Sequence, residues 1–232
     1  MLKRIPDLDW RDIESQLDSQ GFAKTPPVLS RAECEELIAL YADDNRFRSR
    51  IDMARHRFGV GEYKYFADPL PPIVQTLRTE AYPPLAAIAN RWAALLGSKA
   101  QFPGDLASFL ARCAKKGQTR PTPLMLHYEA GGYNCLHQDL YGDEAFPIQL
   151  VCALSSRTQY DGGEFLLIEQ RPRAQSRGEA ITIEQGELVA FPTRERPVEG
   201  TRGHYRTVMR HGVSRLQSGS RYTLGIIFHN AK

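Results

Sequence analysis

An α+β fold is expected, with a double-stranded β-helix core (a cupin-like jelly roll) and a helical N-terminal region packed on one sheet. Three observations predict it. Apolar residues recur at helical spacing through roughly the first 120 residues. From Pro123 onward the chain changes to short apolar runs, about eight in number. Gly131-Gly132, Asp161-Gly162-Gly163 and Ser218-Gly219-Ser220 punctuate those runs as turns. Eight short antiparallel strands are what a double-sheet jelly roll needs.

The elements follow in order. Trp10, Ile13 and Leu17 mark one helix over Leu8–Leu17. Ser30 followed by Glu33 forms a capping box that opens a helix through Leu37, Ile38 and Leu40. Ile73–Leu96 is a long helical pattern that Pro83-Pro84 should break or kink. Asp105–Lys116 reads as a further short helix, and Val60–Phe66 between these helices as a strand or hairpin arm. The expected core strands are Leu124–Tyr128, Tyr133–Asp139, Ile148–Leu154, Glu164–Ile168, Ala180–Ile183, Glu187–Phe191, Thr207–His211 and Tyr222–His229. Arg171–Arg177 is polar and irregular, a surface loop. With no internal repeat or low-complexity linker, residues 1–232 read as one domain, with 1–122 as support and 123–232 as core.

Composition narrows the function classes. At 42% hydrophobic and 25% charged residues, the chain has ordinary globular values. No apolar run reaches the length of a membrane span. The first residues are basic but lead into no apolar segment, so they do not read as a signal peptide. Cys34, Cys113, Cys135 and Cys152 are scattered without a C-x-x-C pair, which suits reduced thiols and a cytoplasmic protein. A net charge of +3 is far from the excess of a dedicated DNA-binding domain.

The chemistry is concentrated in His137-Gln138-Asp139, His211 and Arg221. On a strand, residues two apart share a face, so His137 and Asp139 point the same way. Asp139 inside a barrel needs a strong partner to offset its desolvation, and a metal is one. Two imidazoles and one carboxylate on one face of an octahedron leave open positions on Fe(II). His127-Tyr128-Glu129 is a second H-x-acid triplet, and His204 competes with His211 for the third ligand position. His211 is preferred because it ends a strand-like run, whereas His204 lies in a turn-like stretch. Arg221 heads the most apolar strand of the chain and carries a planar fork suited to a carboxylate. Thr223 would share its face. Gln149 and Asn134 fit equally as structural hydrogen-bonders or as pocket residues.

Several pieces in this order resemble the catalytic core of the 2-oxoglutarate- and Fe(II)-dependent oxygenases, particularly the prolyl-hydroxylase-like branch. They are His127–Tyr133, His137–Asp139, Asp161–Phe165, Gly186–Pro192, Arg210–Val213 and Gly219–Leu224. The whole chain is also similar to a bacterial group suspected of oxidising nucleic acid. The resemblance implies Fe(II) held by His137, Asp139 and His211, with 2-oxoglutarate and O2 as co-substrates and ascorbate as a stimulant. It places the distal carboxylate of 2-oxoglutarate on Arg221 and a co-substrate contact at Tyr128, with Thr223 a secondary contact. Retention of Asp139 implies hydroxylation or oxidative demethylation, because related halogenases replace that carboxylate with a small residue. Rival readings are a cupin-like metal enzyme that uses no keto acid and a non-catalytic binding module.

Nucleic-acid bases, protein side chains, free amino acids and small metabolites all remain open as substrates. Two segments bear on this. Arg46, Arg48, Arg50, Arg55 and Arg57 are interleaved with aromatics, which suits phosphate contacts, with Phe58 or Tyr65 stacking on a base. The bland alternative is a solvated loop. Arg194, Arg196, Arg202, Arg206, Arg210 and Arg215 bracket His211, and would favour an anionic substrate if they face the barrel mouth.

Overall fold

A computed structural model of the protein describes residues 3–139 and 142–232. Four α-helices occur among the described residues, and a side-chain N-cap opens three of them. Helix α1 (Trp10–Gln20) begins at Asp9, whose carboxylate accepts from the backbone N–H groups of Arg11 and Asp12. Helix α2 (Arg31–Leu40) starts with the expected capping box, Ser30 and Glu33 each bonding the other's backbone. Asp105 caps α4 (Leu106–Lys115). Replacing Ser30 with alanine should cost about 1 kcal/mol. The thermal midpoint, followed by circular dichroism, should fall by roughly 2–4 °C at this chain length; an unchanged midpoint would show that the cap adds nothing to stability.

Helix α3 (Pro72–Leu95) corrects the sequence reading, because it runs uninterrupted through Pro83 and Pro84. The two missing N–H groups free the carbonyls of Thr79 and Glu80. Both residues are exposed, so water can satisfy those carbonyls, and Pro83 itself is exposed. On the opposite face Val74, Leu77, Leu85, Ile88 and Trp92 are buried, and their packing holds the helix together.

Fourteen strands occur among the described residues. They are β1 (Ala23–Lys24), β2 (Phe47–Asp52), β3 (Gly59–Val60), β4 (Glu62–Phe66), β5 (Leu124–Glu129), β6 (Tyr133–His137) and β7 (Ile148–Ala153). Then come β8 (Tyr160–Gly162), β9 (Phe165–Gln170), β10 (Arg177–Ile181), β11 (Leu188–Pro192), β12 (Glu195–Gly200), β13 (Gly203–Val213) and β14 (Leu216–Ile226). One sheet runs β1-β11-β7-β14-β5-β4-β2, with β8 against the first part of β14. The other runs β10-β9-β13-β6-β3, with β12 against β13. Every pairing is antiparallel.

Strand alternation sorts the core into layers. Along β7, Ile148, Leu150 and Cys152 join the cluster built with the helices, through residues such as Leu37, Leu85 and Phe109. Val151 and Ala153 face the other way and pack with Phe165, Leu167, Phe191 and Met209 between the sheets. The helical region therefore covers the outer face of the larger sheet, as expected.

Local differences from the sequence reading have local causes. Ser218-Gly219-Ser220 is not the turn; it lies inside β14, and the turn falls at Ser214-Arg215. Gly219 has φ 79°, and a Cβ there would sit 2.0 Å from the Gln159 carbonyl oxygen, so glycine lets β14 kink past a neighbouring backbone. Val60–Phe66 is two strands split at Gly61, and Phe47–Asp52, read as loop, is a strand paired with β4. The last core strand ends at Ile226 rather than His229.

Candidate metal centre

His137 is the last residue of β6, and Asp139 lies two residues on. His211 stands on β13 directly opposite His137 in the antiparallel register. Gly212 lets the two strands meet this closely, since a Cβ there would lie 2.7 Å from the Asn134 carbonyl oxygen. The pairing sets the two imidazole centroids 4.2 Å apart. One Asp139 oxygen lies 3.5 Å from His137 Nε2 and the other 3.2 Å from His211 Nε2. All three donor atoms fall within 4.8 Å of one another.

The surroundings prepare this cluster for a cation. His137 Nδ1 is 2.8 Å from the Cys135 carbonyl oxygen. A carbonyl only accepts, so Nδ1 carries the proton and Nε2 presents its lone pair to the centre. Burial pushes the His137 pKa down, and neighbouring His211 adds to this, against the pull of Asp139. Near neutral pH the ring is therefore neutral, as a ligand must be. His211 is pinned by the rings of Phe191 and Phe165, at centroid distances of 4.8 and 5.9 Å. Two imidazoles and a carboxylate suit Fe(II).

Arg221 faces the same cavity from β14. It is 2% exposed, yet its Nε and Nη1 find no hydrogen-bond partner. Glu164 lies near enough to feel its charge, but that carboxylate is bonded to Ser214. A buried guanidinium with two unmade hydrogen bonds is costly, and a bidentate carboxylate would satisfy it. Tyr128, opposite Arg221 in the β5–β14 register, is buried, and its hydroxyl makes no well-formed hydrogen bond, although Asn134 is near enough to interact with it. Thr223, two residues along β14 and 2% exposed, lies on the same face.

His137, Asp139, His211, Arg221, Tyr128 and Thr223 all line one cavity of ≈ 370 Å³ between the sheets. Within this one cavity the donor set fits iron and the unpartnered Arg221 nitrogens fit a carboxylate. Gln149 and Asn134 also line it. Gln149 Nε2 lies 3.4 Å from His211 Nε2. Phe165 and Phe191 were missed as site residues; the inward alternation of β9 and β11 was the signal that could have found them.

Neither competitor enters the cluster. His127 stacks on Tyr222 at 4.1 Å and bonds Ser220. His204 is exposed and lines a separate surface hollow with Arg91 and Glu199.

Most arginines of the basic segments have partners within the protein, the majority of them in exposed surface pairs. Arg46 pairs with Asp43, Arg50 with Glu62 and Arg55 with Asp52, while Arg48 donates to the Pro121 carbonyl and lies over Tyr65. Around His211, Arg196 is fully buried against Glu169, and Arg194 and Arg206 share Glu195. None of the six arginines bracketing His211 lines the cavity. Of the first segment only Arg57, with Phe58 beside it, does.

Residues 61–231, well over half of the chain, match the family Oxygenase-NA, described as an oxygenase catalysing oxidative methylation of damaged DNA. The chain belongs to this family. Two uncharacterized proteins of Mycobacterium tuberculosis, one from each of two strains, are 50% identical to it over 167 residues, covering 72% of this chain and 72% of each relative. A Pseudomonas putida prolyl-4-hydroxylase superposes with a TM-score of 0.55 at 13% identity, over 96% of this chain and 99% of that one. An oxidoreductase of the 2OG-Fe(II) oxygenase family from Burkholderia pseudomallei gives 0.56 at 14% identity, over 100% and 96%. These two share the fold. The Oxygenase-NA chain is thus an oxygenase that shares the jelly-roll fold of these two proteins and carries a His-Asp-His cluster able to hold a metal ion.

Proposed function

We propose that this oxygenase oxidises a base of damaged, single-stranded DNA, removing a methyl group through an unstable hydroxymethyl product. His137, Asp139 and His211 are its metal ligands, and Arg221, Tyr128 and Thr223 hold the co-substrate. The observation that carries the reading is one cavity lined both by a His-Asp-His cluster and by a buried Arg221 whose Nε and Nη1 are unpartnered. Iron and 2-oxoglutarate, when bound, supply oxygen activation coupled to decarboxylation to succinate and carbon dioxide.

The residues divide the work by position. Arg221 neutralises and orients the distal carboxylate, and the Tyr128 hydroxyl offers a further hydrogen bond. Val151, Phe165 and Phe191 line the cavity and keep water from the reacting atoms. A base inside a duplex cannot reach a centre set between two sheets, so the target must be unstacked. The family's description supports nucleic acid as the partner. Residues 1–232 form a single oxygenase domain in this reading. The four free thiols suit a cytoplasmic protein, and no helix among the described residues is long and apolar enough to cross a membrane.

Succinate release, measured with iron, ascorbate and oxygen, should rise when methylated single-stranded oligonucleotides are added, and rise less with the same sequence as intact duplex. Release driven by peptides or amino acids but not by oligonucleotides would overturn the substrate assignment. No succinate with any substrate would favour a metal enzyme that uses no keto acid.

A further inference from the structure

Four large apolar side chains are exposed among the described residues: Phe58, Val60, Leu136 and Val208. Three of them meet at one place. β3 pairs with β6, with Val60 opposite Tyr133, and Cys135 N–H donates to the Phe58 carbonyl. Phe58, Val60 and Leu136 therefore share the β3–β6 edge, and both Phe58 and Leu136 line the cavity that holds the His-Asp-His cluster. Phe58 and Leu136 are each 46% exposed, so their faces are open to a ligand.

Phe58 is also held in position. His56 stacks on it at 5.4 Å with 21° between the planes. Arg57 between them takes a left-handed backbone with φ 59°, which is uncommon for a side chain of this size. That conformation places the rings at 56 and 58 together and sends Arg57 to the cavity wall. No hydrogen bond or ion pair involves the Arg57 guanidinium among the described residues, in contrast to Arg46, Arg48, Arg50 and Arg55. Backbone held in a sparsely populated region at the mouth of a site points to function.

Resting on the nucleic-acid reading above, we propose that the His56–Phe58 stack is a platform for a base of single-stranded DNA at the cavity mouth, with Arg57 taking the adjoining phosphate. A flat aromatic face beside one unpaired cation matches the repeating unit of a single strand, a π-face joined to an anion. Tyr65 also lines the cavity, with Arg48 over its ring at 4.5 Å. The segment thus acts through two residues rather than through its total positive charge. It seats the neighbour of the base that enters the cavity.

The test is binding of a fluorescent methylated single-stranded oligonucleotide, by anisotropy across a salt series, to the full chain. Phe58→Ala and Phe58→Leu should each weaken binding about tenfold or more, since leucine keeps the apolar contact but not the stacking face. Phe58→Trp should bind at least as well as the parent. Arg57→Asn, which tolerates the left-handed backbone, should lower the slope of log K against log salt by about 0.7, one phosphate's worth on a single strand. Arg173→Asn is the matched control, an exposed arginine with the same φ of 59° away from the cavity, and should change nothing. Unchanged thermal midpoints would confirm folding in each variant.

Parent binding with Phe58→Ala or Phe58→Leu at full strength would overturn the platform and leave the nucleic-acid reading standing. Tighter binding of intact duplex than of single strand, or equal losses in Arg57→Asn and Arg173→Asn, would also overturn it. No binding by the parent at low salt would overturn both.

Discussion

His211→Ala should leave the protein unable to retain a divalent metal, whereas His204→Ala and His127→Ala should retain it in full. His211 Nε2 is one of three donors within 4.8 Å, and the remaining pair, His137 and Asp139, cannot enclose one face of an octahedron alone. Removing an outer-shell partner of a metal ligand typically costs about 10- to 100-fold in affinity, so loss of a ligand itself should exceed that. Metal content after reconstitution with Fe(II) under nitrogen reads this directly, and Mn(II) titration gives the affinity. Alanine also leaves a gap beside Phe165 and Phe191, so His211→Gln serves as a fuller replacement that keeps most of the volume. If His211→Ala and His211→Gln keep full metal while His204→Ala loses it, the ligand assignment is wrong.

The preference for His211 over His127 and His204 in the sequence has a physical basis. His137 and Asp139 are local, two residues apart, and the strand period suggests that they share a face, although β6 ends at His137 and Asp139 reaches it from just beyond the strand. His211 is distant, but a strand-like run ends on it and Arg221 follows at a hairpin's length, so its pairing with β6 could be expected. What could not be read was the bulge at Gly212 that lets the strands meet at this point. Arg221 was legible because a permanent charge at the head of an apolar strand needs a buried anion. Phe165 and Phe191 were invisible as cavity residues because an inward aromatic on a core strand looks the same whether it packs on leucine or on a histidine of the cavity.

The helices and the larger pattern of strands were legible for a related reason: caps and turns are written in neighbouring residues. Pro83-Pro84 misled because sequence shows the lost hydrogen bonds but not that solvent reaches the freed carbonyls. Ser218-Gly219-Ser220 misled because glycine marks a kinked strand as readily as a turn. The basic segments misled most. Counting arginines shows their charge, whereas their availability depends on partners such as Glu62, Glu169 and Glu195, which lie far away in sequence. Of that first segment, Arg57 alone reaches the cavity, so substrate recognition could not be inferred from composition.

Arg221→Ala should weaken 2-oxoglutarate binding by about 30-fold or more while leaving the metal bound. Truncating one partner of a buried, hydrogen-bonded charge pair costs on the order of 2–5 kcal/mol, and each 1.4 kcal/mol is about tenfold in affinity. Arg221→Lys should recover little of it, because an ammonium is a point charge and cannot form the two parallel bonds of a guanidinium. The free protein should respond in the opposite direction. Arg221 is 2% exposed with Nε and Nη1 unpaired, so in the absence of co-substrate it is a net cost to folding. Alanine there should leave the thermal midpoint equal or higher without 2-oxoglutarate, and remove the rise that 2-oxoglutarate produces in the parent by binding the native state. Calorimetric titration of the Mn(II)-loaded protein measures the affinity, and melting with and without 2-oxoglutarate measures the reversal. Unchanged affinity in Arg221→Ala would put the carboxylate elsewhere in the cavity. A lower midpoint in the free variant would show that the guanidinium already has a partner worth more than its desolvation cost.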